Sequence, residues 1–183
     1  MQSLSNKKQI ELDQRIEEII SMTSNDISFI IDIPPKPQQR PRFSFKMRKV
    51  YVPEAASSKK AIGNILKQQL PKDFNIALSE VSVRIDFFIE IPKSFNKIDY
   101  SLAELGYLKP VTNKGDLDNL AKPIMDACTE IIWIDDRQLV ECKLTKKYSS
   151  NPRTELHVNV LNGFTCPRFR KQMEDKLNKI AGD

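Results

Sequence analysis

Asp116-Leu-Asp118-Asn-Leu-Ala-Lys122-Pro-Ile-Met-Asp126-Ala-Cys128-Thr-Glu-Ile-Ile-Trp133-Ile-Asp135-Asp136 is the stretch from which the fold and chemistry of this chain are read. Its first two aspartates stand two positions apart, so an extended backbone sends both carboxylates off the same side. Leu120, Ile124, Ala127 and Ile131 recur at helical spacing and predict a helix with one apolar face. Asp118 or Asn119 can cap it, because a short side-chain oxygen satisfies N–H groups that lack an intrahelical partner. Lys122 lies one turn after Asp118 and can point back toward the two carboxylates. Pro123 reads as close enough to the first turn to cost little. The apolar run Ile131-Ile-Trp133-Ile134 then enters the interior and delivers Asp135 and Asp136 at its far end.

Carboxylates gathered in one place repel, by roughly 4 kcal/mol for a pair at about 4 Å and an effective dielectric near 20. A cluster of Asp116, Asp118 and one or both of Asp135 and Asp136 therefore implies a bound cation or a strongly raised pKa. Oxygen ligands without His or Cys suit a hard ion, Mg²⁺ or Mn²⁺. Such an ion beside a lysine is equipped for phosphoryl transfer. The plain alternative reads the first pair as helix capping and Asp135-Asp136 as a turn.

The pattern from Asp116 through Lys122, followed by Asp126-Ala127 and Trp133-Ile-Asp135-Asp136, resembles the signature of the RusA family of Holliday-junction resolvases, over residues 27–160. The resemblance implies a Mg²⁺-dependent, homodimeric endonuclease, with Mn²⁺ able to substitute, that nicks four-way branched DNA in recombination and repair. It implies Asp116, Asp118 and Asp136 as metal-binding catalytic aspartates and Lys122 as the catalytic lysine. Asp135 matches the first Asp of the pair and joins the candidate metal ligands. Arg40-Pro-Arg42-Phe43 resembles the arginine segment that many members carry after their first strand. Where many members have Lys-Pro or a basic pair before the first Asp, this chain has Lys114-Gly115, and the glycine predicts a looser approach to Asp116.

With 183 residues, 40% hydrophobic and 29% charged, the chain fits one globular domain with appendages. The expected fold is α+β, a mixed sheet of about four strands flanked by helices. The expected division is an amphipathic helix over 1–26, an endonuclease domain over 27–160 and a basic helix over 161–183. A net charge of +5 suits a polyanionic partner. Ten Lys or Arg between positions 36 and 72 face one acid, Glu54. Arg40, Arg42, Lys46, Arg48 and Lys49, with Phe43 among them and Lys114 further on, are the candidate DNA surface. A solvated basic loop is the alternative. Cys128, Cys142 and Cys166 are odd in number and far apart, so they read as free thiols of a reducing cytosol. No signal peptide or membrane span is expected, and hence a cytoplasmic protein.

Leu12, Ile16, Ile19 and Ile20 predict a helix over 4–22 whose apolar stripe packs on its own domain. A strand is expected over 27–33. A helix over 53–70 follows, with Ile62, Ile65, Leu66 and Gln69 inward and Lys59, Lys60 and Lys67 outward. Strict alternation from Val81 to Ile91 predicts the clearest strand, with Phe88 packed under a helix. Residues 92–115 read as a long basic connection, a candidate flap over DNA, with a short helix over 101–105. Val140, Cys142 and Leu144 are expected to point inward from a strand over 139–147. Leu156, Val158 and Val160 form a second inward row, with His157 on the opposite face, and a final helix spans 167–180. Two other functions fit part of the pattern: a Mg²⁺-dependent phosphatase or nucleotide hydrolase, and a non-catalytic DNA-binding module. The five glycines form no phosphate-cradling loop, which disfavours the first.

Overall fold

The computed structural model describes residues 6–21, 25–38, 42–44, 46, 48–51, 55–111, 115–161 and 167–182. In chain order these form helix α1 (Asn6–Ser21), strand β1 (Asn25–Ile31), a hairpin of β2 (Arg42–Ser44) and β3 (Lys49–Tyr51), and helix α2 (Ala55–Gln69). Strand β4 (Val81–Glu90), helices α3 (Lys97–Glu104) and α4 (Leu117–Cys128), a 3-10 turn (Asp136–Gln138), strands β5 (Leu139–Ser149) and β6 (Arg153–Val160), and helix α5 (Pro167–Gly182) complete it. Four strands make a mixed sheet in the order β1-β6-β4-β5, with β5 parallel to β4 and the other pairs antiparallel. The α+β class and the strand number agree with the sequence reading.

The period-two row of β4 decides the layering. Val81, Val83, Ile85, Phe87 and Ile89 are buried on one face, and each such side chain contributes about 1.5–3 kcal/mol. That face also receives Phe29, Ile31, Leu156 and Val158, and it is covered by Ile62 and Leu66 of α2 and by Leu120, Ile124 and Ala127 of α4. The other face is polar. Phe88 lies there beneath cations where a helix was expected: the Arg153 guanidinium sits 3.9 Å from its ring centre and the Lys147 ammonium 5.7 Å, a cation–π arrangement that shields the ring.

Val140 departs from the expected inward row and is 57% exposed. The β4–β5 register pairs Val81 with Leu139 but Ser82 with Glu141, so Val140 is the extra residue of a bulge. Cys142 is exposed as well, on the edge strand. At the opposite edge, Gln69 does not join an apolar face. Its amide accepts from Ile30 N at 2.9 Å and donates to Ile30 O at 2.7 Å, occupying part of the open edge of β1.

Helix α3 begins at Lys97, earlier than expected, because the Asn96 side chain caps it by accepting from Ile98 N and Asp99 N at 2.9 Å. Glu104 accepts from the Ser150 backbone, and Phe95 packs edge-on against Tyr148. These contacts tie the connection to the β5–β6 turn. On α1, Ile10, Leu12 and Ile16 remain exposed instead of packing on the domain, while the side chains of Ile19 and Ile20 lie outside the described residues. Among the described residues, no helix is long and apolar enough to cross a membrane.

Candidate active site

Leu117 is the first helical residue of α4. Asp116 therefore occupies the N-cap position with extended backbone, φ −77° and ψ 157°, and Asp118 lies inside the first turn. The two carboxylates do not leave one side of an extended segment, as the spacing alone suggested. Nor is Asp118 or Asn119 the cap: both lie inside the helix, and Asp116, which holds the cap position, makes no side-chain cap hydrogen bond. The positive end of the helix dipole favours both negative charges there.

Pro123 is the seventh residue of α4, well past the first turn. Having no N–H, it leaves the Asn119 carbonyl without its intrahelical donor. Gln38 N supplies one at 2.8 Å. The same segment packs on Gly115, whose φ is +114° and where a Cβ would lie 2.8 Å from Pro37 Cβ. Gly115 is thus a close-approach residue and not the loosening that the sequence suggested. Lys146 Nζ also donates to its carbonyl at 3.2 Å. Gly115→Ala is expected to lower stability by about 2 kcal/mol, the scale of backbone strain at a forced φ. An unchanged thermal midpoint would contradict this fit.

Gln38, held at the N-terminal end of α4, precedes the first residue of the basic hairpin by four positions. Phe43 is 53% exposed, and Lys46 and Arg48 are exposed, Arg48 with φ 49° in the turn. Arg42 and Lys49 belong to the two strands and pair with Tyr51 and Ser44. Arg40 and Lys114 lie outside the described residues.

Lys122 points forward to Asp126, its Nζ donating to Oδ1 at 2.8 Å, and not back to Asp116 and Asp118. That hydrogen bond, with the charges of Asp126 and Asp136, holds the ammonium above the usual lysine range. Asp136 is drawn toward α4 by two donors that sequence reasoning missed. Thr129 Oγ1 and the indole Nε1 of buried Trp133 reach its Oδ1 at 2.8 and 3.1 Å. Burial, and then the Asp136 charge, push the Cys128 thiol well up, so it stays protonated.

Asp135 is engaged differently. Arg137 donates from its backbone N, from Nε and from Nη2 at 3.0, 3.1 and 3.2 Å, and Lys176 of α5 donates to Oδ2. The Arg137 and Lys176 hydrogen bonds hold this carboxyl well below the usual carboxylate range. The turn is closed by Gln138, which is fully buried. Its Oε1 accepts from Ile134 N and Asp135 N, and its Nε2 donates to Ala77 O and Ser79 O. Asp135-x-x-Gln138 is a capping box, a pattern visible in the sequence.

Among the described residues, neither Asp116 nor Asp118 has an ion-pair partner. The expected convergence is incomplete: Asp116, Asp118 and Asp136 are not grouped within 4.8 Å, the spacing that a shared ion requires. Bringing two carboxylates to about 4 Å costs roughly 4 kcal/mol, which a cation would have to offset. The donor set, carboxylate oxygen throughout, fits a hard divalent ion. The described residues contain one tighter group, Asp86, Glu155 and His157, on the polar face of the sheet. Each of these already has a partner: Arg84 and Thr145 for Asp86, Arg153 for Glu155, Ser28 for His157.

The Endodeoxyribonuclease RusA family model matches residues 32–159, which leaves α1 and α5 outside it. The chain is also 34% identical, over 137 residues, to the uncharacterized protein YqaN of Bacillus subtilis (strain 168), an overlap of 72% of this chain and 94% of YqaN. Since the family match runs from the end of β1 to the end of β6 and includes every residue from Asp116 to Asp136, the chain belongs to the RusA family of endodeoxyribonucleases.

Proposed function

We propose that this chain is a divalent-metal-dependent endonuclease that resolves four-way DNA junctions by paired nicks in opposed strands, acting in recombination and repair as a homodimer. The observation that carries the reading is the family match across the whole Asp116–Asp136 pattern. It is supported by the basic hairpin that follows the Gln38–Asn119 hydrogen bond at the N-terminal end of α4. Two-fold symmetry gives two equivalent sites for two opposed strands.

Asp116, Asp118 and Asp136 are the residues proposed to hold Mg²⁺ or Mn²⁺. Such an ion supplies charge to the phosphate oxygens and lowers the pKa of a bound water. Lys122, kept protonated by Asp126, presents a fixed positive charge toward the phosphate as negative charge builds there. Thr129 and Trp133 orient Asp136. Asp135, taken up by Arg137 and Lys176, acts as a positioning residue that holds the turn. The Phe43 side chain and the basic residues around it are proposed to contact the DNA strands.

Lys176→Met is expected to slow nicking about tenfold, the scale of losing an outer group that supports a metal site, here through Asp135 and the turn that carries Asp136, with stability changed by under about 1 kcal/mol because the ammonium is partly exposed. Lys176→Arg should restore the rate. Equal rates for wild type and Lys176→Met would contradict a positioning role.

The proposal is tested with four-way junctions labelled on each strand in turn. Symmetric nicks that appear with Mg²⁺ and vanish with chelator are the expected result. Binding without nicking, or turnover of free nucleotide in place of DNA, would overturn it.

A further inference from the structure

A groove of about 570 Å³ lies between α2, the end of α4 and the last residues of α5. One wall is Lys59, Lys60, Asn64 and Lys67 of α2. This helix carries three lysines and no Asp or Glu. Ile62 and Leu66 fix its inner stripe in the core, which turns Lys60, Asn64 and Lys67, spaced four and three apart, outward along one line. The facing wall is Thr129 and Glu130. Its floor depends on Gly63, where a Cβ would come within 3.1 Å of Ile131 Cδ1, so the missing side chain lets the two walls close on each other. Glu130 is the one acid of the lining.

Thr129 belongs to both the groove and the candidate active site. It lines the groove, and its hydroxyl donates to Asp136 at 2.8 Å. The groove therefore begins at the carboxylate proposed to hold the metal. The basic hairpin follows the segment bound at the other end of α4, where Gln38 meets Asn119. The 12-residue helix between Gln38's contact and the groove is about 18 Å long, room for roughly five nucleotide steps of a strand at about 3.4 Å each.

We infer that this groove is a track for the backbone of one DNA strand as it leaves the cleavage site, with Lys60 and Lys67, about 10 Å apart along the helix, on separate phosphates, Lys59 beside them and the Asn64 amide as a further donor. This inference rests on the nuclease reading for the position of the strand. Ammonium groups on flexible stems grip phosphate without reading bases, so the track adds affinity and direction and no base preference.

The test compares the full-length wild type with the double variant Lys60→Gln/Lys67→Gln and a charge-matched control, Lys7→Gln/Lys8→Gln, on exposed α1. Binding of a labelled four-way junction is measured by anisotropy across a salt series in chelator. Each phosphate contact contributes about 0.9 to the slope of log K against log salt, so the groove variant is expected to lose about 1.8 from the slope. The control is expected to keep the wild-type slope. A groove variant whose slope equals that of wild type, or falls only as far as the control's, overturns the track. Nicking by wild type, assayed separately with Mg²⁺, decides the nuclease reading: nicking with no slope difference sinks the track alone, and a slope difference with no nicking sinks the nuclease alone.

Discussion

Asp118→Asn is expected to reduce Mg²⁺-dependent nicking by roughly 10³-fold while leaving junction binding unchanged or tighter. Asparagine keeps the shape of the side chain and removes one of the three charges proposed to hold the ion, a loss on the scale of a deleted transition-state contact. The fold should tolerate it. Asp118 is exposed in the first turn of α4, where its interaction with the helix dipole is worth about 0.3–1 kcal/mol. Losing one negative charge beside a polyanion favours binding. Single-turnover nicking of a labelled junction measures the first effect and anisotropy the second. Nicking within about threefold of wild type would remove Asp118 from the mechanism.

Gln138→Leu is expected to destabilise the domain by about 3–5 kcal/mol, because the buried amide bonds four backbone groups and each group left unsatisfied costs about 1–3 kcal/mol before relaxation. Those groups belong to Ile134 and Asp135 on one side and Ala77 and Ser79 on the other, so the same substitution frees the turn that presents Asp136. Urea unfolding should show a lower midpoint with an unchanged slope, and nicking should fall even where the protein is still folded. A stability change under about 1 kcal/mol would mean that water replaces the amide and the turn holds without it.

Much of the scaffold was legible because burial imposes periodicity. The alternation from Val81 gave β4, Leu156 to Val160 gave β6, and the Ile62–Leu66 spacing gave α2, each a local pattern tied to one buried face. The hairpin of β2 and β3 was not legible, since three-residue strands within a basic run carry no such row. Val140 failed for a related reason: a bulge adds one residue to one strand and is decided by its partner.

At the site, residue identity was readable and geometry was not. The pairing of Lys122 with Asp126 follows from helical i,i+4 spacing, which offers the ammonium Asp118 on one side and Asp126 on the other and does not choose between them. The start of α4 at Leu117 was not foreseen, and it moved Asp116 and Asp118 out of a shared extended segment. Gly115 was misread because its constraint comes from Pro37, seventy-eight positions away in sequence. Lys176 and Thr129 carry no sequence signal as partners of Asp135 and Asp136, since their roles exist only once α5 and the turn are folded together.

The most direct measurement is a crystal structure grown with Mn²⁺ and read by anomalous scattering. The expected result is a peak bonded at about 2.1 Å to Asp118 and to at least one of Asp116 and Asp136, with Asp135 still bound to Arg137 and Lys176. A peak held by Asp86, Glu155 and His157, with none along α4, would contradict it.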